Sequence, residues 1–361
     1  MTPFASLPPA VAEAVRAGPP LDGEAEARAW SRLDSLTKPP RSLGRLESIA
    51  ARVAAIQGTD HPQLGKKAVI LAAADHGVVA EGVSAYPQEV TGQMVANFIA
   101  GGAAINQICR SVGARVVVYD VGVAGDVSHN PGVVVRKVAH GTRNFTTEPA
   151  MTAEQCELAI SIGVEAAREL IAEGVDLIGT GEMGIGNSTS AAALTAVITG
   201  ADVVKVVGPG TGVDGEGISR KVSAIERGIA LHGVDPLDGF GALCAVGGLE
   251  IAMLTGVMLG SAAMRTPVVA DGFIAGSAAL CAVSMCPAAR DYILASHLSA
   301  EPGHAVALQH LGLDPILVLD MRLGEGTGAA LSFAIIDAAC AVLSGMATFE
   351  QAGVSESEGR Q

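Results

Sequence analysis

Residues 175–194 read VDLIGTGEMGIGNSTSAAAL. An apolar run stops at glycines and a glutamate, turns through Gly184 and Gly186, and passes into an Ala-rich stretch from Asn187. That order is strand, glycine turn, helix. The same rhythm recurs in AVILAAADHG (68–77), ARVVVYDVG (114–122), DVVKVVGPG (202–210), PVVADGF (267–273) and PILVLDMRLGEG (315–326). Runs of Val, Ile and Leu without polar alternation suit strands buried on both faces, hence a parallel sheet between helices. Six strands are predicted, with glycines and acids at their C-terminal ends. In an open α/β sheet that edge lines the ligand crevice.

Composition agrees. Of 361 residues, 49% are apolar and 17% charged, enough for a large core and too apolar for wholesale disorder. The 45 glycines and 3% aromatics favour many tight turns and close helix contacts packed with small aliphatics. A net charge of −14 with no basic stripe argues against nucleic-acid binding. The six cysteines form no C-x-x-C pair, so neither a disulfide framework nor a zinc ribbon is expected, and a reducing cytoplasm fits. MTPFASLPPAVAEAV (1–15) lacks the basic and apolar regions of a secretory signal. The apolar stretch 240–264 meets the length of a membrane span, but it is rich in Gly and Ala and carries Glu250. A buried helix or helix pair is the expectation, with no membrane contact.

Both ends read as helix. AEARAWSRLDSL has helical apolar spacing, KPP (38–40) breaks it, and a second helix opens near Ser42 with Leu43, Leu46, Ala50, Val53 and Ile56 on one face. Residues 328–353 form a C-terminal helix before a frayed tail, VSESEGRQ. The expected division is a small helical domain from 1–60 plus 335–361, and a large α/β domain from 61–334.

The opening stretch holds G-x-G-x-x-G at Gly179, Gly181 and Gly184. A dinucleotide site also needs an acid ending the next strand, and Asp202 sits at the wrong end of its run. Phosphate on the helix N-terminus, with Asn187 and Ser188 as added donors, suits the stretch better. Glu182 would repel phosphate, so ribose hydroxyls or a cationic ring are its expected partners. GPGTGVDGEGISRKV (208–222) is a second glycine loop, through Gly208 and Gly210, from which Lys221 can reach a phosphate. Asp75 and His76 in ADHG (74–77) read either as metal ligands, with His297 and His304, or as a structural pair. Asp271 reads equally as a site carboxylate or as the cap of the helix after it. In RLGEGTG (322–328), glycines on both sides of Glu325 let a ligand lie against backbone. Burial would raise the Glu325 pKa and a following helix N-terminus would lower it, so the balance is open.

Taken in order, KPPRSLGRLE, ADHGV, GEMGIGNST, DGFIAGSAAL, SHLSAEPGH and RLGEGTGAAL resemble the nicotinate-nucleotide–dimethylbenzimidazole phosphoribosyltransferases, over residues 36–345. The resemblance implies a Rossmann-like parallel sheet flanked by helices, with a small helical domain from the two termini, assembled as a homodimer. It implies transfer of phosphoribose from nicotinate mononucleotide to 5,6-dimethylbenzimidazole without metal or organic cofactor. Glu325 becomes the general base. Glu182, Gly181, Gly184, Gly186, Asn187, Ser188, Gly208 and Gly210 hold phosphate and ribose, with Lys221 beside them. Ser84, Tyr86, Gln88, Met94, Leu323 and Gly324 fall on the acceptor pocket, and Arg322, Asp75, His76 and Asp271 are further candidates. Ser190 stands where relatives often have proline, and Tyr86 and Met94 where others are smaller or polar. The acceptor is therefore open among dimethylbenzimidazole, other benzimidazoles, adenine and phenols, with a dinucleotide-dependent oxidoreductase as the competing class.

Overall fold

The structure is a computed structural model describing residues 11–13, 16, 20–210 and 212–355. The first and last stretches of the chain, including residues 356–361 of the expected frayed tail, lie outside the described residues. Six strands form one parallel sheet: β1 (Lys66–Ala74), β2 (Ala114–Gly122), β3 (Val134–Val135), β4 (Val175–Met183), β5 (Val268–Ala270) and β6 (Ile293–Ala295). Their order is β3-β2-β1-β4-β5-β6. The chain winds outward first one way and then the other from β1, which opens a crevice beyond the ends of β1 and β4.

Burial on both faces is why these strands read as unbroken apolar runs. Ala68, Ile70 and Ala72 of β1 join one core, and Val69, Leu71 and Ala73 join the other. The first core is closed by α5 (Ala153–Ala172), α6 (Asn187–Thr199), α9 (Gly239–Val246), α10 (Leu249–Ala263) and α11 (Gly272–Met285). The second is closed by α1 (Gly23–Ser35), α2 (Arg45–Gln57), α3 (Glu89–Ala100), α4 (Ala104–Ser111) and α13 (Thr327–Gly345). The apolar stretch 240–264 is the buried pair α9 and α10. A Cβ at Gly256 would lie 1.9 Å from the Ile160 carbonyl oxygen, and one at Gly163 would lie 1.9 Å from that of Met253. These glycines let α5 and α10 touch backbone to backbone, a contact that any side chain would prevent.

Two expected strands are not strands. In 202–210 the Asp202 side chain accepts from the Val204 amide and starts a single helical turn, α7 (Val203–Val206), followed by loop. A local cap has overridden the β-propensity of the valines. In 315–326 contact with the sheet is confined to the start of the run, where the Ile316 and Leu317 amides donate to the Ala295 and Ser296 carbonyls and Leu317 makes a parallel bridge to His297. Ile316 packs against the core, but Val318 and Leu319 are 67% and 55% exposed, so the run leaves the sheet for the surface within a few residues. The edge belongs instead to β6 and the opposite edge to β3, neither of which was expected.

The remaining helices are α8 (Gly215–His232), α12 (Pro302–Leu311) and α14 (Phe349–Ala352). The terminal helices meet through Arg32, whose Nε donates to the Leu343 carbonyl at 2.6 Å, and through a bridge between Leu36 and Thr348. The second helix starts at Arg45, after Leu43, which is partly exposed. The C-terminal helix ends at Gly345, before the separate turn of α14. Among the described residues α13 alone is long and apolar enough to cross a membrane. Here Ala329, Ala330, Phe333 and Ile336 of that helix are buried in the core beside the sheet.

Candidate active site

A cavity of about 550 Å³ opens at the C-terminal ends of the strands. Its wall takes residues from the end of β4, the start of α6, the turn after β5, the segment after β6 and the loop before α13.

Glu325 sits in this wall with φ +64°, between Gly324 at +83° and Gly326 at +88°. Three successive left-handed residues are easy for glycine, whereas for glutamate the conformation costs about 1–2 kcal/mol. Several contacts impose it. The Gly326 amide donates to Asp271 Oδ2 and the Ala329 amide to Oδ1, each at 3.0 Å. Thr327 Oγ1 donates to the Gly324 carbonyl at 2.8 Å. Gly181 of β4 lies directly behind, where an added Cβ would stand 2.6 Å from the Glu325 carbonyl oxygen.

Glu325 is only 7% exposed, and its Oε2 is buried without a hydrogen-bond partner among the described residues. Burial raises its pKa, against a smaller pull downward from the Ile105 amide at the start of α4. The balance left open by the sequence therefore falls on the raised side.

Two further carboxyls share the wall. Burial pushes Glu182 up to about 8, helped by the fields of Glu250 and Asp271 and opposed by the Asn187 amide, which donates to its Oε2. Gly324 favours glycine because of its φ of +83°, and it lies close to Glu182: a Cβ would stand 2.2 Å from Glu182 Oε1. Burial pushes Asp271 up to about 7 despite its amide donors. Asp271 makes no side-chain bond to α11, the helix it precedes, so its capping is given to α13 instead.

The anion-binding side is built from backbone and one lysine. Gly186, at φ +98°, leads into α6 with no side-chain cap; the Asn187 and Thr189 amides turn back to the Gly184 and Gly186 carbonyls, while Ser188 between them lines the cavity. Buried Lys221 places Nζ 3.0 Å from Ser188 Oγ and 3.1 Å from the Gly208 carbonyl, and burial lowers its pKa to about 8. The Gly210 amide donates to Glu301 Oε1 at 3.0 Å, and Arg322 Nη1 donates to the Gly210 carbonyl at 3.2 Å.

Of the expected residues, Glu325, Glu182, Gly184, Asn187, Ser188, Gly210, Tyr86, Met94, Leu323, Gly324, Asp271 and Arg322 line the cavity. Lys221 and Gly208 lie behind Ser188, Gly181 lies behind Glu325, and Gly186 heads α6. Ser84 and Gln88 do not line it: Ser84 Oγ accepts from the Tyr86 amide, and Gln88 donates to the His76 carbonyl. Asp75 and His76 are also turned away. Asp75 Oδ2 accepts from the Ala124 amide at 2.8 Å. His76 bridges Ser190 Oγ at 3.0 Å and Glu250 Oε1 at 2.7 Å, all fully buried. That is the structural reading of the pair, and Ser190 has taken up a role proline cannot fill.

The cavity also includes residues that sequence reasoning did not place in it: His297, considered only as a metal ligand, with Ser299, Glu301, Phe273 and Ile274. The available signal was the short YILA run ending in Ser-His, a three-residue strand delivering polar groups to the rim. The dinucleotide alternative loses its support, since the segment that would carry a ribose-gripping acid is the helical turn α7.

Comparison with known proteins agrees with this geometry. A family model described as phosphoribosyltransferase matches residues 19–354. A nicotinate-nucleotide–dimethylbenzimidazole phosphoribosyltransferase of Chloroflexus aggregans is 55% identical, covering 93% of this chain and 96% of that protein. One from Geobacter sulfurreducens is 52% identical over 94% of this chain and 96% of its own length. The crystal structure of the Thermus thermophilus enzyme of that name superposes with a TM-score of 0.89 at 50% identity, covering 93% of this chain and all of that one. The chain is therefore a transferase and belongs to the nicotinate-nucleotide–dimethylbenzimidazole phosphoribosyltransferase family.

Proposed function

We propose that the protein transfers the 5-phosphoribosyl group of nicotinate mononucleotide to 5,6-dimethylbenzimidazole, giving α-ribazole 5′-phosphate and nicotinate for cobalamin assembly. The observation that carries this reading is Glu325: a buried carboxyl of raised pKa, held in a strained conformation in the wall of a cavity of about 550 Å³. The phosphate rests at the N-terminus of α6 against Ser188, whose hydroxyl is a donor, with Lys221 behind it supplying charge. The ribose then lies toward Glu182. One benzimidazole nitrogen attacks C1 from the face opposite nicotinate, so a β-nucleotide gives an α-linked product in one displacement. The C1–N bond to the pyridinium ring breaks with its electron pair, and nicotinate leaves as a neutral pyridine. The second benzimidazole nitrogen gives its proton to Glu325, a transfer worth a factor of about 10²–10⁴. The ionised Glu325 carboxylate also favours the positive charge that develops at C1.

The acceptor lies against Tyr86, Met94 and Leu323, an apolar wall suited to a planar ring. The protein acts in the cytoplasm, a placement supported by its free cysteines. It works as a homodimer, to which exposed Tyr86 and Leu323 at the rim offer apolar surface. Residues 1–60 with 335–361 form its small domain, supported by the Arg32 contacts, although α13 runs unbroken through residue 335. The test is a chromatographic assay with nicotinate mononucleotide and dimethylbenzimidazole, with the product's anomeric configuration read by NMR. An α-linked nucleotide with equimolar nicotinate supports the reading. No turnover with any benzimidazole, purine or phenol, in a protein that still binds the nucleotide, sinks it.

A further inference from the structure

We propose that Asp271 is a positioning residue for the reaction: it holds Glu325 in its left-handed conformation by clamping the amides that follow it. The proposal rests on the reading of Glu325 as the base. Asp271 stands at the N-cap position of α11 but gives that helix no side-chain bond. Its two oxygens instead take the amides of Gly326 and Ala329, 55 and 58 residues further along the chain. Gly326 is the residue next to the base, so the clamp acts on the peptide that sets where the Glu325 side chain starts.

A clamp is needed there because glutamate does not stay left-handed on its own. Released, residues 324–326 would relax toward ordinary backbone, and the carboxyl would leave the wall that buries it. Thr327 holds the Gly324 carbonyl of the peptide before Glu325 and Gly181 confines the loop from behind, but the N–H of the peptide after Glu325 is held by Asp271. Asp271 is itself held: His297 Nδ1 lies 3.7 Å from Oδ1 and 3.0 Å from Ser296 Oγ. With both oxygens occupied by amides, Asp271 does not need to touch substrate. It acts through Glu325.

An asparagine at 271 keeps the shape but turns an NH₂ group toward one of two N–H donors, so the clamp cannot close on both. The experiment is a double-mutant cycle between Asp271→Asn and Glu325→Gln, read as single-turnover transfer with enzyme in excess, alongside steady-state kcat and KM. Asp271→Asn alone is expected to lower kcat about 10²-fold, the effect of misplacing a base by an ångström, with KM for nicotinate mononucleotide within about threefold of wild type. In the Glu325→Gln background the same change is expected to do little, less than about threefold, because the base it positions is already gone. Loss of a further 10²-fold in that background, or a raised KM with unchanged kcat, overturns the proposal. If the asparagine variant does not fold, the cycle is run with Asp271→Ser; failure of both to fold makes Asp271 a folding residue and also overturns it. Wild type inactive in transfer defeats the reading of the site itself. An active wild type with additive effects defeats only the clamp.

Discussion

Gly181→Ala isolates the contact between β4 and the base. Gly181 is not among the glycines with positive φ, so alanine is acceptable to its backbone and the whole effect comes from one methyl group. That methyl would lie 2.6 Å from the Glu325 carbonyl oxygen, 2.8 Å from its carbon and 3.0 Å from the Gly326 nitrogen. All three are backbone atoms, so no side chain can swing aside. Ordinary contact begins at 3.4 Å, and the loop must retreat by about 0.8 Å to restore it. Overpacking of this kind costs about 1–3 kcal/mol of stability. Moving a general base by nearly 1 Å is expected to lower kcat by about 10²-fold. KM for the nucleotide should change far less, because Ser188 and Lys221 are not displaced. Denaturant unfolding and steady-state kinetics on the same preparation check both halves. Turnover within twofold of wild type, in a folded protein, would refute the placement of Glu325 against β4.

The buried carboxyls make stability fall as pH rises. Glu182 at about 8 and Asp271 at about 7 keep protons in the folded chain that the unfolded chain has lost above about pH 4, so each takes away up to about 1.4 kcal/mol per pH unit between those limits. Glu182→Gln should remove its share of that slope in urea unfolding at pH 5.5 and 7.5, and an unchanged slope would contradict the assignment. Lys221→Met should raise KM for nicotinate mononucleotide about tenfold or more with kcat less affected. Because Lys221 titrates near 8, the wild-type KM should also climb above that pH. An unchanged KM in the variant removes Lys221 from phosphate binding. Tyr86→Ala should weaken dimethylbenzimidazole relative to adenine in a competition assay, since Tyr86 lines the cavity and supplies apolar wall; an unaltered preference would place the acceptor elsewhere.

What could be read in the sequence follows from what each element must satisfy locally. The runs at 68–77, 114–122 and 175–184 correspond to β1, β2 and β4 because a strand buried on both faces has no alternative to continuous apolar residues. The run at 202–210 fails because one aspartate cap, invisible to hydropathy, turns it into helix. The run at 315–326 fails because Val318 and Leu319 are exposed, whereas β6, as short as β5, lacks the Asp-Gly that follows β5 and marks its end. Within the site, Glu325 and Glu182 are marked by adjacent glycines, and the structure supplies the reason: Gly324 turns left-handed close to Glu182, and Gly181 makes room for Glu325. Of the two readings of Asp271, site carboxylate or cap of its own helix, sequence proximity offers only the second a partner, and its amide partners lie instead more than fifty residues away. His297 and Glu301 are marked only by the short YILA run before them, and come to the cavity through the packing of β6 beside β5. Ser84 and Gln88 lie near Tyr86 in the chain but do not line the cavity.

The most direct test of the central claim is the single-turnover rate of dimethylbenzimidazole phosphoribosylation by Glu325→Gln beside wild type, across pH 5 to 9. Glutamine keeps the size of the side chain and removes only its ability to take a proton. The expected result is a wild-type rate that falls as pH drops through the raised pKa of Glu325, and a variant slower by about 10²–10⁴-fold without that limb. A variant that transfers phosphoribose within tenfold of wild type, with the same acid limb, would contradict Glu325 as the base.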